Sequence, residues 1–137
     1  MMRVTPSRLA HRAFALLLVV AAVTVVAACG WFNGVGEPKV EVEGGDPVLG
    51  KQAILDYGCY SCHTIPGVNR ADAHVGPALT AWADRRIIAG IMPNEPDNLI
   101  PWIISPQQFQ EDSAMPTLGV SEEDARHIAA YLYTIED

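Results

Sequence analysis

The sequence predicts a small all-α domain of three to five helices joined by long Pro- and Gly-rich loops. Several stretches carry apolar residues at the spacing of an amphipathic helix, and none shows a convincing strand alternation. The 11 glycines and 10 prolines among 137 residues interrupt these stretches with turns and loops. Such a domain has little apolar helix surface from which to build a core, so we expect another component to fill its centre.

Clear end signals define the first and last helices. Asp46 supplies an N-cap acceptor before a proline in the first turn, which predicts a helix over residues 47–57. Gly58 ends this helix, because glycine tolerates positive φ. Ser121 caps the last helix, and three acidic residues follow in its first turn. The apolar residues of that helix recur at helical spacing: Ala125, Ile128, Leu132 and Ile135.

The middle of the chain is less regular. Residues 64–80 are rich in Pro, Gly and Asn and predict a loop, and a short helix is expected over residues 81–89. The turn GIMPNEP then leads into a helix through DNLIPWII, which ends before Pro106. Pro101 lies inside this helix and is expected to kink it if it lies beyond the first turn.

The N-terminus has the layout of an export signal. A basic stretch over residues 3–12 precedes an uncharged run over residues 13–29, which ends in VAAC. This ending resembles a lipobox, so residues 1–28 are predicted to be a lipoprotein signal peptide and Cys29 the lipidated N-terminus. The alternative is an uncleaved anchor, because residues 13–36 are long enough to span a bilayer. With either anchor, we expect the domain to be tethered at the outer, periplasmic face of a bacterial cytoplasmic membrane.

The segment after Cys29 indicates where the folded domain begins, and the overall charge limits the class of partner. Residues 29–45 mix Gly, Pro and alternating charge without helical spacing, which predicts a flexible, lipid-anchored linker before a domain over residues 46–137. The chain has 16 acidic and nine basic residues, a net charge of −7. This excess of negative charge argues against nucleic acid as a partner. It indicates either an ordinary solvated surface or steering towards a basic patch on a protein.

The stretch CYSCH raises three alternatives. A zinc site needs four ligands, and the only other cysteine is Cys29 in the signal. A redox-active dithiol usually follows a strand, whereas Cys59 and Cys62 follow a helix. The third alternative is covalent heme attachment, in which the two thiols reach the vinyl groups of one porphyrin and His63 becomes the proximal iron ligand.

A second axial ligand would support the heme alternative. Met92 and Met115 are both candidates, and each precedes a proline. Met115 is the predicted ligand because it lies in a loop just before the last helix, and Met92 is then expected in ordinary packing. Of the remaining imidazoles, His127 is expected at the surface and His74 in a loop.

Five stretches together resemble the class I cytochrome c family: YGCYSCHTIPG, VGPALT, DNLIPWI, SPQQF and SAMPTLGVSEEDARHIAAYLY. The domain is most similar to the small cytochrome c domains fused to, or accompanying, subunit II of bacterial heme-copper oxidases. The resemblance implies a small cytochrome c fold around one covalent heme c. It also implies that the Pro77 carbonyl accepts a hydrogen bond from His63, that Trp102 lies against the heme, and that Arg85 meets a heme propionate. Arg86 is an equally good chemical candidate for the propionate.

Histidine and methionine on opposite heme faces close the iron to other ligands, which favours electron transfer over catalysis. The expected function is therefore a membrane-tethered carrier of single electrons, and not an enzyme. Its expected partners are integral-membrane redox complexes, namely a quinol-oxidising complex and a terminal oxidase. One alternative is a permanently bound subunit of a respiratory or photosynthetic complex. Another is a heme-based gas sensor or small peroxidase, which requires that Met115 not bind iron firmly.

Overall fold

The computed structural model describes residues 35–136. The predicted signal peptide, Cys29 and the first part of the predicted linker lie outside the described residues. Three α-helices are present in the described part, which confirms the expected helical character: α1 (Pro47–Asp56), α2 (Pro96–Ile104) and α3 (Glu122–Leu132). None of these helices is long and apolar enough to cross a membrane.

The predicted helix ends are confirmed in α1 and α3. The Asp46 carboxylate accepts hydrogen bonds from the backbone N–H groups of Val48 and Leu49, at 2.8 and 3.3 Å. Gly58 follows α1 with φ +72°, in the left-handed region. At the start of α3, the Ser121 hydroxyl accepts a hydrogen bond from the Asp124 N–H at 3.1 Å. Local sequence rules therefore suffice to place both helices.

The first and last helices cross at a glycine. A Cβ atom on Gly50 would lie only 1.9 Å from the carbonyl oxygen of His127. Gly50 therefore lets the α1 backbone approach the α3 backbone more closely than any side chain permits. The buried faces of both helices point into the centre of the domain, and the core also includes Leu99 and Trp102 of α2.

The prediction of a helix over residues 81–89 is wrong. A single 3-10 turn, Trp82–Asp84, is followed by a small antiparallel hairpin of β1 (Ile87–Ile88) and β2 (Met92–Pro93). The Asn94 side-chain amide donates hydrogen bonds to the carbonyls of Trp82 and Arg85, both at 3.0 Å. Because a distant side chain satisfies these carbonyls, the turn need not extend into a helix.

Part of the predicted flexible linker is packed against the domain. Val42 is buried, and the Lys39 N–H donates a hydrogen bond to the Tyr133 carbonyl at 2.9 Å. A Cβ atom on Gly45 would lie 2.8 Å from the Ala130 side chain, so this stretch runs close along α3. Residues 35–45 therefore belong to the same compact unit as the three helices.

The prediction that His127 lies at the surface is also wrong. His127 is buried on α3, and its Nδ1 accepts a hydrogen bond from the Asp46 N–H at 2.9 Å. The charged neighbours of His127 along α3 suggested an exposed position. The burial could not be predicted from them, because the segment that covers His127 lies far away in the sequence. His127 thereby fixes the residue that caps α1 against α3.

The proline inside α2 does not end the helix. Pro101 is the sixth of nine residues in α2, and the helix continues to Ile104. Proline has no N–H, so the helical hydrogen bond to the Asp97 carbonyl cannot form from this position. The last turn is closed by the Ser105 N–H, which donates to the Pro101 carbonyl at 2.9 Å. Trp102 remains buried on the inner face.

Candidate cofactor site

A cavity of about 450 Å³ occupies the centre of the domain, where the sequence predicts that a further component is needed. None of the described residues in its wall is an Asp, Glu, Lys or Arg. All three helices contribute apolar residues to it: Ile54 of α1, Leu99, Trp102 and Ile103 of α2, and Ile128 and Leu132 of α3. Such a space suits a large apolar ligand.

The CYSCH motif lies in the wall of this cavity. After Gly58 ends α1, a 3-10 turn over Cys59–Ser61 brings both cysteines and His63 to the wall. His63 Nδ1 lies 2.7 Å from the Pro77 carbonyl oxygen. A carbonyl oxygen can only accept, so Nδ1 carries the proton and donates it, which leaves the Nε2 lone pair free to bind a metal.

Gly76 allows the backbone of its loop to approach the CYSCH motif closely. A Cβ atom here would lie 2.5 Å from His63 Cε1 and 2.8 Å from His63 Nδ1. The Gly76 N–H also donates a hydrogen bond to the Cys62 carbonyl at 2.7 Å. The pair Gly76 and Pro77 therefore fixes both the position and the tautomer of the imidazole.

Met115 reaches the same cavity from the loop before α3. It is half-buried and lines the wall, as His63 does, whereas Met92 is buried in the core outside the cavity wall. Neither His74, which is exposed, nor His127 lines the cavity. The fold therefore brings together the imidazole and the thioether that the sequence analysis paired.

Trp102 lies in the wall, and its ring centroid is 6.3 Å from that of Phe109. Arg85, which the resemblance placed at a propionate, does not line the cavity. Its guanidinium donates hydrogen bonds to the carbonyls of Ala78 and Thr80, at 2.5 and 2.9 Å. Arg86 is exposed and does not line the cavity either.

The sequence analysis missed Trp82. This residue is buried and lines the cavity, and the Arg85 guanidinium lies 5.2 Å from its ring centroid. Among the described residues, its indole Nε1 is the single buried side-chain nitrogen or oxygen without a hydrogen-bond partner. A buried donor without an acceptor costs about 1–3 kcal/mol, which a ligand carrying a carboxylate would offset. Nothing in the local sequence separates this tryptophan from a core residue.

The environment of the cysteines disfavours a redox-active dithiol. Burial raises the pKa of the Cys59 thiol, whereas the attacking cysteine of a dithiol oxidoreductase needs a lowered pKa. For the zinc alternative, no group of three or more His, Cys, Asp or Glu side chains capable of holding a metal occurs within residues 35–136. Two thiols, an imidazole with a free Nε2, a thioether and an orphaned indole N–H around an apolar space fit heme c.

A family model described as cytochrome c matches residues 48–136. The chain belongs to the cytochrome c family. The resemblance to a class I c-type cytochrome is thereby confirmed, and membership of this family implies a covalently bound heme c and an electron-transfer function.

Two relatives place this cytochrome near one group of oxidase proteins. The protein named cytochrome c oxidase subunit 2 from Alkalihalophilus pseudofirmus is 34% identical over 110 residues, which cover 77% of this chain and 30% of the relative. The protein of the same name from Bacillus sp. strain PS3 is 29% identical over 96 residues, which cover 66% of this chain and 27% of the relative. In each alignment, this cytochrome matches less than a third of the relative's length.

Proposed function

We propose that this cytochrome is a membrane-tethered carrier of single electrons with one heme c, attached through Cys59 and Cys62. His63 and Met115 are the axial ligands in this proposal. The observation that carries it is the cavity itself, where a tautomer-fixed imidazole and a thioether lie in one uncharged wall. When bound, heme c supplies an iron that accepts and releases one electron at a time.

The surrounding residues prepare the two ligands for this role. The Pro77 carbonyl accepts a hydrogen bond from the Nδ1–H of His63, which increases the basicity of Nε2 and fixes the ring orientation. The thioether of Met115 favours the ferrous state and raises the reduction potential. Apolar side chains of the three helices line the cavity, Trp102 among them, and offer no polar group to water except the indole N–H of Trp102.

Trp82 and Arg85 together form the binding site for a heme carboxylate in this proposal. The indole N–H of Trp82 is the direct donor to a propionate in this proposal, because it lacks any other partner. Arg85 supports it from behind, with its guanidinium over the tryptophan ring and its hydrogen bonds on two loop carbonyls. In this proposal Arg85 acts through Trp82, whereas the resemblance implies that it meets the propionate directly.

The cavity rim offers a contact surface for a redox partner. Val75 and Leu118 line the cavity and are 82% and 41% exposed. Two acidic residues, Glu111 and Asp112, are exposed shortly before Ser113 in the wall. An apolar rim beside negative charge suits a partner with an apolar patch flanked by basic residues.

The proposed electron path runs from a quinol-oxidising complex to a terminal oxidase. The names of the two relatives support the oxidase end of this path. They also favour a second candidate, in which this cytochrome is a permanently bound subunit of an oxidase complex. In both cases the domain works at the outer face of the bacterial cytoplasmic membrane.

The carrier proposal is tested with the reduced holoprotein and bacterial membranes that contain a cytochrome c-oxidising terminal oxidase. We expect complete re-oxidation with oxygen uptake, and inhibition of both by cyanide acting on the oxidase. The Cys59→Ser/Cys62→Ser double variant, which lacks both attachment sites, is the control and supports no oxygen uptake. Re-oxidation at the same rate without membranes would contradict the carrier role. Co-purification with the oxidase after mild detergent extraction would favour the bound subunit.

The lipid tether depends on Cys29, which lies outside the described residues. Expressed from the full chain, the protein is expected to incorporate radiolabelled palmitate and to sediment with membranes, whereas the Cys29→Ser variant incorporates none. Cys59→Ser is the matched control, because it removes a cysteine in the folded domain. Unchanged labelling of Cys29→Ser would contradict lipidation. Loss of labelling with a membrane-bound, uncleaved product would show that the apolar N-terminal run can itself act as an anchor.

A further inference from the structure

We propose that Gln107 is the positioning residue that holds the Met115 loop against the cavity. This inference rests on the proposed role of Met115 as an iron ligand. Gln107 is the second residue of the 3-10 turn Pro106–Gln108, directly after α2, and its side chain is half-buried. Gln107 does not itself line the cavity.

The side-chain amide of Gln107 binds the loop on both sides of Met115. Its Nε2 donates hydrogen bonds to the carbonyl oxygen of Met115 at 2.6 Å and to that of Ser113 at 3.3 Å. Its Oε1 accepts a hydrogen bond from the Thr117 hydroxyl at 2.7 Å. Both amide protons and the carbonyl oxygen are therefore used to hold three alternate residues of one loop.

The loop has few other restraints. Within the described part of the chain, no backbone–backbone hydrogen bond involves residues 114–120. The Met115 N–H donates only to the hydroxyl of Ser113, at 3.3 Å, and Ser113 is itself held by Gln107. The next anchor along the chain is Ser121, the N-cap of α3.

Only a side chain with two donors and an acceptor on one planar group can make this set of bonds. Glutamate at position 107 would present two acceptors to the carbonyls of Ser113 and Met115, and leucine would present no polar atom. With the amide removed, the Met115 carbonyl and its neighbours lose their partners, and the loop moves more freely. The sulfur of Met115 then leaves the iron more often, although the sulfur itself is unchanged.

The test is the rate at which cyanide binds to the ferric holoprotein of Gln107→Leu, at neutral pH. Binding limited by Met115 dissociation is expected to be at least about tenfold faster than in the wild type, because about tenfold corresponds to the contribution of a single hydrogen bond and Gln107→Leu removes three. The far-red methionine-to-iron charge-transfer band remains at neutral pH, but is lost at a lower alkaline pH or lower temperature than in the wild type.

Gln108→Leu is the matched control. Gln108 is the adjacent residue, is exposed, and makes no side-chain hydrogen bond within the described residues. Its variant is expected to bind cyanide at the wild-type rate. Equal rates in Gln107→Leu, Gln108→Leu and the wild type would overturn the inference.

A second variant covers the case in which Gln107→Leu does not fold. Thr117→Val removes only the hydroxyl that orients the Gln107 amide, and a smaller acceleration in the same direction is expected. An unchanged rate in a folded Thr117→Val variant would then overturn the inference. Failure of the proposed function is distinguishable, because a wild-type holoprotein without the far-red band would show that Met115 is not the ligand at all.

Discussion

The Met115→Ala holoprotein lacks the far-red charge-transfer band, binds carbon monoxide in the ferrous state and has a lower midpoint potential than the wild type; this is the largest functional effect that we expect. Among residues 35–136, Met115 supplies the one thioether in the cavity wall and His63 the one imidazole. Removal of the sulfur therefore opens one iron position, and the loss of a thioether ligand destabilises the ferrous state. Optical spectra, carbon monoxide titration and a redox titration measure the three effects.

Met92→Ala is the control for this prediction. Met92 is buried in β2 outside the cavity wall, so its truncation is expected to cost roughly 2–5 kcal/mol of stability and to leave the band in place. The reverse pattern, with the band lost in Met92→Ala and kept in Met115→Ala, would contradict the ligand assignment. Carbon monoxide binding to the wild-type ferrous protein at neutral pH would support the gas-sensor or peroxidase alternative.

Gly50→Ala is expected to cause a large loss of stability, because it forces apart two helices that meet at this glycine. The new Cβ would lie 1.9 Å from the carbonyl oxygen and 2.5 Å from the carbonyl carbon of His127. These are backbone atoms of α3, so no rotamer change relieves the clash and the two helices must separate. The cost is expected near the upper end of overpacking effects, about 3 kcal/mol, which outweighs the gain of about 0.5–1 kcal/mol from replacing glycine in a helix.

Guanidinium unfolding of the holoprotein measures this cost. Gly36→Ala is a suitable control, because a Cβ there would meet no atom closer than 3.9 Å. The separation also affects the site, since Ile54 of α1 and Ile128 of α3 both line the cavity. We therefore expect a weaker far-red band in Gly50→Ala alone. A Gly50→Ala variant as stable as Gly36→Ala would show that the helices do not meet at this glycine.

Features that depend on a few neighbouring residues could be predicted from the sequence. The capping of α1 by Asp46 and of α3 by Ser121 is local, because each side chain bonds N–H groups two or three residues away. The CYSCH motif is local as well, since covalent attachment needs a fixed spacing of thiols. Choosing Met115 over Met92 as the proposed ligand required only the order of elements along the chain.

The tertiary structure decided the features that join distant parts of the chain. His127 is buried because Asp46, far away in sequence, donates to it, and residues 35–45 are packed because α3 offers them a surface. The unpartnered indole of Trp82 becomes visible only once the cavity is formed around it.

By itself, the sequence determined the family, the helix ends and the attachment motif, because short-range spacing and capping encode them. Only the tertiary structure decided that Gln107 holds the loop of Met115, and that Arg85 lies over Trp82 and outside the cavity wall. The physical reason is that a side-chain amide or guanidinium forms hydrogen bonds with whichever carbonyls the fold brings within reach. Residue order along the chain does not specify those partners.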